Sequence, residues 1–280
     1  MNKLLSTELK RAMKSPILWI GIIGVIALDI FGILLNSYGF DIYTTTFIFD
    51  NSARICIILA ILVPLHIGQD FEVRTVNNKI TAGYTRKQIY FAEIFVSTIC
   101  SMILYIIDVV SVFVCSTFAG LEFSDGITYS AFHFNEVIGL VCVITISALF
   151  TMIVMLARKQ LISIGITVIL TLSLLTLGGN AVSKLGQSEY RLDTQSNEMV
   201  ENVLYVSGFE RAIANAHLLI SPFAQVEYET TMLHEPESKE DYSLILKRFP
   251  YHIEFIIFNL LEFLLFCMIG IRMFKRQDLQ

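Results

Sequence analysis

Four acids sit where acids are costly. Asp29, Asp108, Glu254 and Glu262 lie within long apolar stretches. A carboxylate at the centre of a membrane-crossing helix costs roughly 2.5–3.5 kcal/mol on the insertion scale. Such a group therefore faces protein or water, where it lines a pathway, takes up a proton or pairs with a neighbour. Asp29, Asp108 and Glu262 are the candidates for a pathway. An interfacial position, or a hydrogen bond to an adjacent helix, accounts for each of the four as well. Asp29 and Asp108 could form an aspartate dyad of the peptidase kind, but neither stands in a recognised motif.

The other reactive side chains point to little chemistry. Cys56, Cys100, Cys115, Cys142 and Cys267 all fall in apolar runs without CxxC or Cys/His spacing, which reads as small buried hydrophobes and no disulfide framework. His66, His133, His217, His234 and His252 are isolated, so no metal site is expected. The chain has no GxxxxGK[ST] phosphate loop, no HExxH and no GxSxG. It cannot itself cradle a nucleotide by that route, and no enzymatic activity is expected of it.

The elements that would position these acids are helices in lipid. Hydrophobic residues make up 55% of the 280, charged residues only 16%, and mean hydropathy is +0.66. Soluble domains carry nearer a quarter charged residues, and their apolar positions are scattered rather than blocked. Runs Ile17–Leu35, Ile89–Phe118, Val137–Ala157, Leu161–Leu177 and Ile253–Phe274 suit single crossings. Ile55–Ile67 is short and contains Pro64; it reaches full length if its helix starts near Thr46, with Asp50 and Arg54 pairing one turn apart. The first run is too long for a signal-peptide core and has no small-residue cleavage site after it, so it reads as a retained helix. Six crossings follow.

Cations set the sidedness. Lys3, Lys10, Arg11 and Lys14 precede the first crossing, Arg74, Lys79, Arg86 and Lys87 follow the second, Arg158 and Lys159 follow the fourth, and Arg272, Lys275 and Arg276 close the sixth. The alternate loops carry Asp41, Asp50, Glu122 and Asp125, with Arg54 as the one nearby cation. The positive-inside rule then puts both termini in the cytoplasm of a multi-pass cell-membrane protein. The net charge of −5 says little when charges are so segregated, and no basic face invites nucleic acid. Residues 178–251 would face outward. They are acidic, and Met199, Val203, Val206, Phe209, Ile213 and Leu218 suggest an amphipathic helix that the Ser221–Phe223 segment breaks.

Between the second and third crossings stands GQDFEVRTVNNKITAGYTRKQIY, a polar block from Gly68 to Tyr90. Val73, Val76 and Ile80 give one apolar stripe, Gly83 a left-handed stop, and Thr85 with Gln88 a capping box for the next crossing. Defined ends of this kind make a short helix that docks on something. A solvated loop whose cations merely enforce topology is the plainer alternative. At the N-terminus, LLSTELKRAMKSP places Leu5, Leu9, Ala12 and Met13 on one face and Lys3, Lys10, Arg11 and Lys14 around the other, a pattern suited to the headgroup plane, with a bend at Ser15–Pro16.

These features together resemble an ABC-2-type transporter permease, most nearly the single-domain permeases of Gram-positive bacteria that work with a separate ATPase. The residues that carry the likeness are Phe71-Glu72-x-Arg74-Thr75…Gly83-x-Thr85-Arg86-x-Gln88-Ile89-Tyr90, set in six crossings between a basic amphipathic helix and the FKRQDL tail. The resemblance implies an all-α polytopic membrane protein, one transmembrane domain over 1–280. Its parts would be an elbow helix at 1–15, spans one to five over 17–177, a mostly helical extracellular segment at 178–251, span six at 252–274 and a cytoplasmic tail at 275–280. It assigns the coupling role to the segment from Phe71 to Thr81, with Phe71, Glu72, Arg74, Thr75, Asn78 and Lys79 as the contact residues; the Arg158–Lys159 turn would be a second, smaller contact. It implies two copies of a cytoplasmic ABC ATPase that binds ATP and Mg, no cofactor in this chain, a second permease copy or related permease, and membrane lipid around the whole. Export is implied over import, with peptide, bacteriocin or another amphipathic compound as substrate. A membrane-embedded immunity, assembly or sensor subunit is the rival, and an ATP-independent channel the third reading.

Overall fold

A computed structural model of the chain describes residues 1–36, 43–123, 127–192, 198–232, Ile245 and 252–276. Asp41, Asp125, Glu235, Glu237, Glu240, Asp241 and the tail beyond Arg276 lie outside them. The described elements are α1 (Asn2–Lys14), α2 (Pro16–Asn36), α3 (Thr44–Glu72), α4 (Thr75–Thr81), α5 (Arg86–Ala119), α6 (Tyr129–Ala157) and α7 (Gln160–Gly186). There follow β1 (Tyr190–Leu192), β2 (Met199–Glu201), α8 (Gly208–Ile220), α9 (Pro222–Met232) and α10 (His252–Arg276). Six of them, α2, α3, α5, α6, α7 and α10, are long and apolar enough to cross a membrane. The chain is an all-α multi-pass membrane protein, and α1 lies at the same end of the bundle as the foot of α10.

Local chemistry sets the ends. Ser15 is extended and its Oγ accepts from the Ile17 amide at 3.3 Å, so Pro16 opens α2 where its missing N–H costs nothing. Thr85 and Gln88 form the expected capping box at the head of α5. Gly120, at φ 73, ends that helix after 34 residues, about 51 Å at 1.5 Å per residue and so well beyond the roughly 30 Å of hydrocarbon. Helices overrun the apolar runs at several ends, α6 starting at Tyr129 and α7 continuing to Gly186, because a helix does not stop where its side chains become polar.

Helices α3 and α6 form the centre, α2 and α5 pack on one side, α7 and α9 on the other, and α10 lies along α6. Pro64 sits inside α3. A proline there leaves the carbonyl four residues back without its amide. That carbonyl is Ala60 O, and the Thr167 hydroxyl of α7 donates to it at 2.6 Å. In lipid such a rescue has to come from a neighbouring helix. Gly68, four residues further on, packs so tightly on the Gln160 backbone that a Cβ would lie 2.8 Å from its Cα. The same tight seam recurs where Gly178 meets Ala224 of α9.

The segment after α7 departs from expectation. Met199 and Val203 are not on a helix: Met199–Glu201 pairs antiparallel with Tyr190–Leu192, Tyr190 opposite Glu201. Val203 is 89% exposed, so the apolar stripe begins only with α8. Positive φ at Gly208 lets the chain turn from the ribbon into that helix. The break at Ser221 falls where it was read, between α8 and α9.

Candidate functional site

The polar block is three pieces in space. Phe71 and Glu72 finish α3 rather than opening a new helix, and the chain turns at Val73 and Arg74. Arg74 has φ 54, left-handed backbone that reverses direction within one residue. Only Thr75–Thr81 form the short helix, so the helix expected from Phe71 to Thr81 is divided at this corner. Val73 is 61% exposed on the outside of the turn, off the stripe, while Val76 and Ile80 pack inward as expected. A run along the bundle axis cannot continue into a helix across its end without such a corner.

Lys79 does not face outward. It is buried, and its Nζ lies 2.7 Å from Asp70 Oδ2, 2.7 Å from Glu93 Oε1 and 2.9 Å from Glu8 Oε1. Arg11 grips the same carboxylates: it pairs with both oxygens of Asp70, reaches Glu8 at 2.7 Å and stands 4.0 Å from Glu93. Four elements, α1, α3, α4 and α5, thus share one ionic joint. Three carboxylates that converge within 4.8 Å have the chemistry of a cation site, and here the Lys79 ammonium bridges all three. Burial opposes the charge on Lys79, but Glu93, Asp70 and Glu8 outweigh it and hold the ammonium above its ordinary value. Arg11 is held up in the same way, against its own burial, chiefly by Asp70.

The remaining residues of the block present a surface. Glu72, Arg74 and Asn78 are exposed, Thr75 is half-buried, and Phe71 is half-buried with its ring edge-on to Phe274 at 6.4 Å. Arg86 Nη1 donates to the Lys275 carbonyl at 2.9 Å and ties the head of α5 to the foot of α10. Glu8, Arg11, Asp70 and Glu93 were not singled out from sequence as one site. The signal for Glu8 lay in its spacing, since it falls between Leu4 and Ala12 on the buried face of α1.

The opposite end of the bundle holds a second polar cluster. Arg54 pairs with Asp29 and, at 2.7 Å, with Asp108; the side chain of Asp50, the partner its spacing suggests, lies outside the described residues. Asn51 donates to Asp29 at 3.3 Å, and the Ser111 hydroxyl donates to the same carboxylate. Two of the three pathway candidates are thereby brought together. Glu262 lies apart on α10, half-buried, and Glu254 is exposed. Deeper in, the Tyr105 hydroxyl donates to Glu136 Oε2 at 3.0 Å. Glu229 of α9 is buried beside Gly139, and among the described residues neither of its carboxylate oxygens makes a hydrogen bond of good geometry. Burial, with Glu136 near, pushes the Glu229 carboxyl well above its ordinary value.

Residues 4–173 match the family described as ABC-2 family transporter protein. The match runs from α1 into α7 and takes in both clusters except Glu229. No curated protein matches the chain.

Proposed function

The chain belongs to the ABC-2 family of transporter proteins and is a membrane permease of that kind, and on that premise we propose that it serves an ATP-driven exporter powered by a separate cytoplasmic ATPase. The chain itself is not the enzyme: ATP and Mg are held by the ATPase, and α4 receives its movement on the cytoplasmic face. One observation carries this reading. The short helix is pinned through Lys79 to α1, α3 and α5 at once, so a displacement of α4 is passed to two crossings and the N-terminal helix together. A helix held only by its own backbone would fold aside under the same load. Glu72, Arg74 and Asn78, exposed beside it, are the contact surface; Lys79 is the anchor beneath. A second permease, identical or related, would complete the pathway, and an amphipathic compound is the substrate class.

The test is a charge reversal on the exposed side alone. Glu72→Lys with Arg74→Glu leaves the joint intact, so the protein should insert and fold as before. ATPase stimulation by transported compound should fall at least tenfold, as should export. Unchanged stimulation would remove these residues from the coupling contact.

A further inference from the structure

Between α5 and α6, at the Arg54 end of the bundle, a groove of about 540 Å³ opens sideways. Its volume lies in the range of pockets that hold drug-sized ligands. Val110 and Phe113 of α5 line one wall and are half exposed; Phe132 forms part of the floor. Tyr105, His133 and Glu136 supply the polar atoms. Because α5 and α6 both cross the membrane, the mouth faces lipid.

The carboxylate is out of keeping with that setting. Glu136 takes one hydrogen bond, from Tyr105, and forms no ion pair among the described residues. Among the described residues no Lys or Arg supplies the missing cation: the guanidinium of Arg54 is engaged by Asp29 and Asp108, and Glu229 behind Gly139 adds another acid. A carboxylate in an apolar groove with no Lys or Arg partner among the described residues is complementary to a ligand that brings a cation. The aromatic rings of Tyr105, Phe113 and Phe132 suit the same kind of head, since a weakly hydrated cation binds favourably over aromatic faces. We propose that this groove binds an amphiphile with a cationic head, seated on Glu136, its apolar body along Val110 and Phe113. The proposal deepens the transporter reading, on which it rests for its meaning, by naming the charge and shape of the transported class.

Binding needs no ATPase, so it can fail or succeed independently of that reading. The full chain in nanodiscs of zwitterionic lipid is titrated with radiolabelled tetraphenylphosphonium, and in parallel with the neutral triphenylphosphine oxide. Saturable binding of the cation is expected, near one per chain, with none for the neutral compound. Glu136→Gln should weaken it at least threefold and Val110→Trp, which fills the groove, should abolish it. Val110 is exposed enough for that replacement to spare the packed interior, which keeps the test decisive if Glu136→Gln fails to assemble. Absence of saturable binding, equal binding of the neutral compound, a loss under threefold in Glu136→Gln, or persistence in Val110→Trp would each overturn the proposal. A binding site without ATPase-coupled export would leave the groove standing and sink the transporter reading alone.

Discussion

The two buried polar clusters differ in how their charges are balanced. At the α4 end, Arg11 and Lys79 meet Glu8, Asp70 and Glu93, and every one of these carboxylates touches a cation. At the other end, Arg54 alone serves Asp29 and Asp108, while Glu136 and Glu229 have no cation among the described residues. The first arrangement fixes helices to one another. The second leaves acid groups to be satisfied by protons or by a visitor. A fully satisfied buried network rigidifies the packing around it, whereas a partly satisfied one leaves costly groups without partners.

Removing the hub of the complete network should therefore do the most damage. Lys79→Met strands three carboxylates with Arg11 as their one partner, a loss of about 3–5 kcal/mol for breaking a buried pair. Thermal unfolding in detergent measures it, and Glu93→Gln on top should return part of the loss. Survival of Lys79→Met at wild-type stability would dissolve the contrast between the ends.

The incomplete network should instead show itself through pH. A carboxyl whose folded value is raised binds its proton more tightly in the folded chain, so stability falls as pH rises from the unfolded value near 4.5 toward the folded one. Glu229→Gln cannot ionise and should be the more stable protein at pH 8, with the gap closing at pH 4. The Lys79 joint weakens in the same direction but in a different window. Its raised ammonium keeps its contribution throughout the neutral range, and that contribution fades only in strongly alkaline solution. Unfolding profiles of wild type and Glu229→Gln between pH 4 and 8 distinguish the two behaviours.

A smaller effect sharpens the same contrast. Thr85→Ala removes the cap at the head of α5 and should lower stability by about 1 kcal/mol. It leaves the joint's ion pairs in place, so export should persist where Lys79→Met loses it. Transport assays on both variants at matched membrane levels make that comparison.

What could be read in advance was local. The crossings, the bend at Pro16, the Thr85–Gln88 box and the break at Ser221 each depend on residues within a few positions of one another, and each is where the sequence put it. The joint depends on Arg11 meeting Asp70, 59 positions away, and on α4 turning Lys79 inward. Nothing in the run Asn77-Asn78-Lys79 distinguishes the buried residue from the exposed ones before the helix is docked. Asp29 and Asp108 were legible as special because they interrupt apolar runs, yet their shared partner was not, because Arg54 lies 25 positions from one and 54 from the other. Glu136 and Glu229 went unremarked as a site because the first lies at the head of a crossing and the second in a region that reads as a polar loop.

The central claim is that α4 is the place where a nucleotide-hydrolysing partner pushes. A photo-activated cross-linker in place of Arg74, fired in living cells, tests it most directly. The account predicts an adduct with a cytoplasmic ATPase, reduced when Glu72 is reversed; labelling only of lipid or of proteins outside the cell would contradict it.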